Sequence, residues 1–191
     1  MSQHSWPPAP GVSEANAVIL IELPAWIDEL LARGERYETD EQKIGLAIEL
    51  ARQNVLRRTG APFGAAVFAV GEDRPRGVGV SIVEPLHNSV LHAETVAYMH
   101  AEAALQDHDL SGHELFVSGE PCAMCLGATH WAGVDRLVFA ALREDAQAVG
   151  YDEGPVFPET YAYLEARGLR VVRGLRRDEG RDVLRLNAGQ R

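Results

Sequence analysis

The sequence predicts an α/β fold, a three-layer α/β/α sandwich whose central sheet is mostly parallel or mixed and has five strands. Apolar runs of strand length alternate with stretches of helical periodicity along most of the chain. This alternation is typical of a sheet that helices cover on both faces. The 191 residues, 46% of them hydrophobic, suffice to bury one core, so one compact domain is expected.

The domain is expected to begin after an N-terminal extension. Prolines 7, 8 and 10 with the glycine at 11 disfavour regular structure at the start, which predicts a mobile lead-in up to about residue 12. A short helix is predicted from Pro24 to Leu31. We therefore divide the chain into an extension, residues 1–38, and a folded domain, residues 39–191.

The first long helix opens at Thr39, because Thr39 and Gln42 form a capping-box pattern, and Gly60 is a natural stop. Its apolar residues recur at spacings of three, four and seven: Ile44, Ala47, Ile48, Ala51 and Val55. Strands are predicted at 63–70, 77–83, 114–118, 136–141 and 169–175, of which the first two are adjacent. Further helices are predicted at 92–105, 122–131, 160–166 and 177–186, and residues 84–91 lack periodicity.

The charge of the chain bears on its partners. Lys and Arg number 18 against 28 Asp and Glu, which gives a net charge of −10 and makes a phosphate backbone an unfavourable partner. No apolar run approaches the roughly 20 residues that span a bilayer, so no membrane association is expected. The first sixteen residues lack the basic residues of a secretory signal, and we expect a cytoplasmic protein.

Two short clusters carry candidate chemistry, and both are placed where a loop enters a helix. Cys122 and Cys125 lie three residues apart in a helical first turn, where the helix dipole favours thiolates, and they are too close together to staple a fold. With His92 they supply three ligands, the number that leaves a tetrahedral zinc with one open position. The sequence therefore predicts one catalytic Zn²⁺ per chain.

Glu94 follows His92 by two residues at the start of the same helix. At a helix end both side chains can reach a site that lies across the axis. A carboxylate beside an activated water can take its proton and later return it to a leaving group, which is the acid–base work of a hydrolytic deamination. Glu94 is therefore the predicted proton shuttle.

Two other interpretations of the Cys-x-x-Cys pair stay open. In a cytosolic protein such a pair is also typical of a thioredoxin-type redox centre. A purely structural zinc site would need a fourth protein ligand, for which His87 and His130 are available. A non-catalytic, zinc-stabilised dimerisation module is the corresponding function outside enzyme chemistry.

The pattern His-x-Glu followed by Pro-Cys-x-x-Cys is the signature of zinc nucleobase deaminases. With Pro62-Phe63-Gly64, the run from Gly119 to Ala128 and the segment Gly150-Tyr151-Asp152-Glu153-Gly154-Pro155, the chain resembles the cytidine deaminase-like superfamily over residues 40–187. The last of these segments is most similar to bacterial guanine deaminases. The resemblance implies the fold of this superfamily and a zinc ion held by His92, Cys122 and Cys125. It also implies homodimers, which in the guanine branch exchange a C-terminal segment.

The resemblance also implies roles for further residues. Glu94 is the first proton shuttle, and Glu153 binds the purine ring and acts as a second shuttle for the departing amine. Phe63 matches the aromatic residue that packs on the base, and the backbone around Ala93 matches the segment that donates to a ring substituent. Trp131, at the end of the cysteine motif, is expected to wall the pocket or to join the core.

One position departs from the family pattern. Eleven residues before the zinc histidine, where members of the family usually carry an Asn, this chain has Ser81. A hydroxyl cannot repeat the paired donor and acceptor of an amide, so Asn88 or a water is expected to compensate. The predicted reaction is deamination of guanine to xanthine and ammonia. The alternative substrates are a purine nucleoside, cytosine or an aminotriazine.

Overall fold

The computed structural model of the chain describes residues 20–189. The lead-in that we predict for residues 1–12 lies outside them. The helices are α1 Trp26–Leu31, α2 Asp40–Leu56, α3 Val83–Leu86, α4 Ala93–Leu105, α5 Ala123–Ala132, α6 Arg143–Gln147, α7 Pro158–Glu165 and α8 Arg177–Ala188. The strands are β1 Gly64–Ala69, β2 Pro75–Val80, β3 His113–Gly119, β4 Arg136–Ala141 and β5 Arg170–Arg173.

The five strands form one mixed sheet in the order β2-β1-β3-β4-β5. Strand β1 is antiparallel to β2 and β3, whereas β3, β4 and β5 are parallel. In this register the start of β1 and the ends of β2, β3 and β4 meet at one edge of the sheet. Residues that directly flank those strand ends are therefore brought together, and this edge carries the candidate site.

Helices cover both faces, which confirms the predicted three-layer sandwich. Strand β1 shows the division, because Ala66 and Phe68 pack into a core with α1, α2 and α8. The alternate residues Ala65 and Val67 pack into a second core with α4, α5 and α7. At the start of α2 both hydrogen bonds of the predicted capping box at Thr39 are present.

Glycines set how closely two helices approach the sheet. A Cβ on Gly64 of β1 would lie 2.4 Å from the carbonyl oxygen of Ala47 in α2. A Cβ on Gly79 of β2 would lie 2.2 Å from the carbonyl oxygen of Ala93, the first residue of α4. Only glycine fits such contacts, so the missing side chain at Gly79 fixes the position at which α4 begins.

The structure differs from the expectation in short elements. Helices α3 and α6 were not predicted, because four or five residues are too few for a helical period to show. In the described part of the extension, Trp26, Ile27 and Tyr37 are buried in the core beside α2, and Trp26 Nε1 donates to Thr59 Oγ1 at 3.1 Å. The boundary at residue 38 stays a prediction.

Among residues 20–189, no helix has the length and apolar character that crossing a membrane requires.

We expect an acid-sensitive contact between α6 and α8 at Asp145. The buried carboxylate accepts from Leu142 N at 2.9 Å and from Arg177 Nε and Nη2 at 2.8 and 3.1 Å, and Arg177 holds the pKa of Asp145 below its usual value. A depressed pKa contributes stability above the unfolded value of about 3.9, and this stability is lost as the pH falls through the folded pKa. Asp145→Asn should therefore lower the urea midpoint at pH 7 and matter progressively less below about pH 4.

Urea titrations at several pH values measure this effect. Asp178→Asn is the matched control, because Asp178 also pairs with an arginine, Arg181, but its side chain is 81% exposed. A difference between wild type and Asp145→Asn that stays constant from pH 7 to pH 3 would contradict the assignment.

Candidate active site

Two helices begin at the sheet edge where the strand ends meet, and each begins at a candidate metal ligand. His92 is the N-cap residue of α4 and Cys122 is the N-cap residue of α5, neither with a side-chain cap. The first-turn N–H groups of both helices lack intrahelical acceptors and carry partial positive charge. The two helix ends therefore favour thiolates at this edge.

The three predicted ligands lie together. His92 Nδ1 is 3.6 Å from Cys122 Sγ and 3.6 Å from Cys125 Sγ, and the three ligand atoms all lie within 4.8 Å of one another. With Zn–N near 2.05 Å and Zn–S near 2.3 Å, the N-to-S edge of a tetrahedron is about 3.6 Å. The three side chains therefore have the spacing that one zinc ion requires.

The two thiols are not equivalent without a metal. The hydrogen bond with Cys125, assisted by His92, lowers the pKa of Cys122 to about 4, and the same contact together with burial raises the pKa of Cys125. The hydrogen bond with Cys122 in turn raises the pKa of His92. A soft cation relieves this competition, because it replaces the shared protons and accepts both sulfurs as thiolates.

A buried hydrogen-bond chain joins the two ligand-bearing helices behind the site. Tyr98 Oη of α4 donates to Thr129 Oγ1 of α5 at 2.9 Å, and Thr129 Oγ1 donates to the carbonyl oxygen of Cys125 at 2.8 Å. All three residues are buried. This chain fixes the spacing of His92 and Cys125 from the side opposite to the cavity.

Two carboxyl groups are buried beside the ligands. Glu94 in the first turn of α4 is 5% exposed, and Glu153, on the segment between α6 and α7, is 7% exposed. Burial first, and then the nearby negative charge, raises the pKa of each to about 7. Groups with such pKa values can both accept and release a proton near neutral pH.

These groups open into a cavity of about 240 Å³, which is small for a ligand site. Its described lining consists of Ala61, Phe63, Ser81, Val83, Glu84, His92, Glu94, Glu120, Cys122, Tyr151, Asp152 and Glu153. Phe63 and Tyr151 form one wall, with ring centroids 5.0 Å apart in an edge-to-face arrangement. Five lining residues are acidic and none is Lys or Arg, so the cavity disfavours anions.

The structure brings Phe63, Ser81 and Glu153 to this cavity with the metal ligands. Ser81 is 4% exposed, and its main chain is fixed because its N–H donates to Phe63 O and its carbonyl accepts from Asn54 Nδ2. Ala93 is completely buried, so its side chain does not line the cavity, whereas its N–H belongs to the free first turn of α4. A backbone role for Ala93 stays a prediction.

Two candidate substrate residues lie elsewhere. Trp131 is 82% exposed at the far end of α5, where its ring lies 5.3 Å from that of His130, so it neither lines the cavity nor joins the core. Asn88 is not among the lining residues, because it follows α3 and its Oδ1 accepts from Val90 N at 3.2 Å in a local turn. The structure therefore does not bring the Asn88 amide to the cavity wall beside Ser81.

The alternative fourth ligands are also outside the site. In the part of the chain that the structure describes, the one group of metal-ligating side chains contains His92, Cys122 and Cys125 and neither His87 nor His130. His87 is an exposed residue at the end of α3, and the ring of His130 lies 5.8 Å from that of Tyr163. The arrangement favours a three-ligand site with an open side toward the cavity.

Sequence reasoning did not place Glu84, Glu120, Tyr151 or Asp152 in the cavity. Glu120, Tyr151 and Asp152 lie within the two motif segments that carry the resemblance, but no role was predicted for them, and the adjacency of Glu120 to Pro121-Cys122 was the available signal. Its side-chain partners lie 23 and 41 residues further along the chain, which no local pattern reveals.

Comparison with known proteins agrees with this geometry. Residues 37–141 match the family model described as the cytidine and deoxycytidylate deaminase zinc-binding region. A guanine deaminase of Bacillus subtilis (strain 168) is 34% identical over 121 residues, 63% of this chain and 76% of that protein. A tRNA-specific adenosine deaminase of Buchnera aphidicola is 28% identical over 123 residues, 64% of this chain and 77% of that protein.

Solved structures match over more of the chain. A guanine deaminase from Nitrosomonas europaea is 38% identical, with a TM-score of 0.84 over 93% of this chain and 100% of that one. A variant of NE0047 in complex with 8-azaguanine is also 38% identical, with a TM-score of 0.85 over 94% of this chain and 100% of that one.

Proposed function

The chain belongs to the cytidine and deoxycytidylate deaminase zinc-binding family, and from this premise we propose that it is a zinc-dependent hydrolase that converts guanine to xanthine and ammonia. One observation carries the proposal. A second buried carboxyl, Glu153, shares a small cavity with Glu94 and the three metal ligands. The similarity to guanine deaminases and to a structure that holds 8-azaguanine supports the choice of base.

His92, Cys122 and Cys125 hold the zinc ion of this family, and their spacing fits it. Bound there, zinc supplies a Lewis acid that makes water a usable nucleophile at neutral pH. The two thiolates balance the charge of the cation, so the site does not strongly retain an anionic product. The chain itself provides the proton transfers and the orientation of the base.

Glu94 performs the first proton transfer in this proposal. Its carboxyl, buried beside the three metal ligands, takes a proton from the attacking water and delivers it to the ring nitrogen next to the carbon that carries the amine. The new bond joins the water oxygen to that carbon. The bond that breaks joins the same carbon to the exocyclic nitrogen, which leaves as ammonia.

Glu153 performs the second function. Its carboxyl lines the same cavity, where it holds a ring N–H as the carboxylate and protonates the departing amine as the acid. The proton left on the new hydroxyl group departs as the C=O bond forms, and it replaces the proton that Glu153 gave to the amine. Phe63 and Tyr151 supply a flat apolar wall for the base. The free N–H of Ala93 is available to a ring carbonyl.

Ser81 is the residue that favours an alternative substrate. It is buried in the cavity wall where an amide is usual, so the cavity accepts other small amino-heterocycles that need fewer paired contacts, such as an aminotriazine, cytosine or a purine nucleoside. The five acidic lining residues, with no Lys or Arg among them, argue against nucleotides in either case, because like charges on the ligand and the cavity lining repel each other.

The test is release of ammonia by the zinc-loaded protein at saturating enzyme. Guanine, guanosine, guanosine monophosphate, cytosine and an aminotriazine are compared under identical conditions. We expect guanine to be the best substrate and the monophosphate to fall at least about 100-fold lower in kcat/KM. If protein with one zinc per chain does not deaminate guanine but deaminates another of these heterocycles, that heterocycle is the substrate and the alternative function is favoured. If it deaminates none of them, the non-catalytic zinc module is favoured.

We also propose that the protein forms a homodimer and that the outer face of α5 contributes to the interface. The ten residues of α5 contain no Asp, Glu, Lys or Arg, in a chain of which 24% is charged. Its outward residues Met124 and Trp131 are 36% and 82% exposed, and Gly127 between them has open space around it. An uncharged face with a largely exposed tryptophan is typical of an interaction surface.

The spacing of this face fits a second copy of the same chain. The midpoint between Met124 and Trp131 falls between Gly127 and Ala128, the smallest residues of the face. A two-fold axis at that point runs the two helices antiparallel and sets Trp131 of each subunit against Met124 of the other, with the small residues at the crossing. No charged group of α5 is buried by such pairing.

Trp131→Glu should therefore convert a dimer of about twice 20.9 kDa into monomers. The substitution places a charge where the partner's apolar face would lie. Mass measurement by light scattering after gel filtration checks this, with Leu56→Glu as the control, since Leu56 is 51% exposed at the end of α2 on the other side of the sheet. If the Trp131→Glu protein is still a dimer, the interface does not involve the outer face of α5.

Three further expectations stay predictions. Helix α8 packs on the sheet of its own chain through Val183 and Leu184, and exchange of the C-terminal segment is a separate expectation that comes from the family. The cytoplasmic location rests on the sequence alone. The expectation that the chain does not bind nucleic acid is testable by a gel shift with tRNA at low salt.

A further inference from the structure

We propose that Glu120 is a positioning residue whose carboxylate holds both ends of the Glu153 segment, and so sets Glu153 relative to the metal ligands. The Glu153 segment is residues 148–157, which join α6 to α7. This inference deepens the proposed function, since it rests on the role given there to Glu153. It follows from contacts that converge on one partly buried carboxylate from two helices.

The first contact fixes the helix that precedes the segment. Glu120 Oε2 accepts from the backbone N–H of Arg143 at 2.9 Å, and Arg143 is the first residue of α6. The Arg143 guanidinium reaches forward to the far end of the segment, where its Nη1 donates to Val156 O at 2.5 Å. The same side chain stays 3.8 Å from Glu120 Oε1 and offsets its charge.

The second contact fixes the helix that follows the segment. Tyr161 of α7 donates its hydroxyl to Glu120 Oε1 at 2.8 Å, and its ring is buried against Phe139 of β4. The two oxygens of one carboxylate thus accept from the start of α6 and from α7. The Glu120 side chain is 12% exposed, so water competes little for these bonds.

Glu120 is itself fixed to the metal site. Its N–H donates to Ala141 O at 2.8 Å at the end of the parallel strands, and only Pro121 separates it from Cys122. In the middle of the segment, Glu153 O accepts from Ala123 N, the first N–H of α5, at 3.0 Å. Glu153 is therefore held at three points around the helix that carries Cys122 and Cys125.

A carboxylate suits this position better than an amide. Both oxygens receive donors, and a carboxylate offers only acceptors, whereas an amide would turn an NH₂ group toward one of the two donors. Displacement of a catalytic group by about 1 Å can reduce turnover by about 100-fold. Loss of either contact should therefore act on turnover through Glu153 and leave the metal in place.

The experiment is a double-mutant cycle. Tyr161→Phe removes one hydroxyl and should lower kcat about ten-fold in the wild-type background, with KM and zinc content nearly unchanged, but less than two-fold in a Glu153→Gln background. Tyr163→Phe is the matched control on α7, because Tyr163 is 49% exposed and its ring faces His130 and Arg167. An equal loss from Tyr161→Phe in both backgrounds would overturn the proposal, since a merely structural role predicts it.

Hydrogen exchange supplies a readout that does not depend on the substrate. In Tyr161→Phe and in Glu120→Gln we expect faster amide exchange within residues 148–157, with β3 and α4 unchanged. Unchanged exchange in the segment would overturn the proposal even if guanine is turned over. If wild type releases no ammonia from guanine, the proposed function is wrong, but the positioning role of Glu120 is not thereby contradicted. The double-mutant cycle is then run with the heterocycle that the enzyme does deaminate. Amide exchange in residues 148–157 tests the positioning role in either case.

Discussion

Glu94→Gln should reduce kcat for guanine by about 1,000-fold while the protein keeps one zinc per chain. General acid–base catalysis contributes about 10²–10⁴-fold, and Glu94 is the buried carboxyl two residues from the ligand His92. The amide keeps the shape and one acceptor oxygen but cannot carry the proton. Steady-state kinetics and metal analysis on the same preparation measure both quantities.

The effect is expected in kcat rather than in KM, because the proton moves in the transition state and not when the base binds. Glu102→Gln is the matched control, since Glu102 lies on the same helix and outside the cavity lining. Its turnover should equal that of wild type. Substantial residual deamination by Glu94→Gln with full zinc occupancy would remove Glu94 from the mechanism.

The long elements of the fold could be predicted because each carries its own period. The helix from Thr39 has the capping box and the buried face that its spacing indicates, and strand β4 has the predicted bounds, residues 136–141. The strand order could not be predicted, since parallel and antiparallel neighbours are chosen by packing across the sheet. That order decides which strand ends meet, and therefore which residues face one another at the site.

Local spacing also limits how well the site could be predicted. Cys122 and Cys125 belong to one helical turn, and their convergence with His92 agrees with the motif. Trp131 stands nine residues after Cys122, and at about 100° per residue this places it about 180° from Cys122 around α5. The helical period of α5 itself therefore directs Trp131 away from the cavity, and the same arithmetic places it on the face that we assign to the dimer.

The role of Glu120 could not be predicted from a sequence motif. The sequence shows a glutamate before Pro121-Cys122, but its role depends on Arg143 and Tyr161, which reach it only because β3 and β4 are parallel neighbours and α6 and α7 follow β4. The role of such a residue is recognised only from its contacts in the folded structure. The metal ligands differ in this respect, because their chemistry is restricted enough for residue type and spacing to predict it.

Cys125→Ala should abolish both metal binding and turnover while the fold persists. Cys125 is completely buried in the first turn of α5, and its sulfur is one of the three ligand atoms within 4.8 Å of one another. Two remaining ligands do not make a closed tetrahedral site, so zinc content should fall below about a tenth of an equivalent after dialysis. The smaller side chain leaves a gap of one sulfur atom, a cost of about 1 kcal/mol.

Reversible removal of zinc from the wild type is the comparison for this prediction. Wild-type protein stripped with a chelator should lose activity and recover it when zinc returns, whereas Cys125→Ala should stay inactive at any zinc concentration that the wild type tolerates. Its far-ultraviolet circular dichroism should match that of the stripped wild type, because Thr129 Oγ1 still donates to the backbone carbonyl of residue 125 and still accepts from Tyr98 Oη, which joins α4 to α5. A Cys125→Ala protein that keeps one zinc would require a further protein ligand and would favour the structural zinc site, since His92 and Cys122 alone cannot hold the ion.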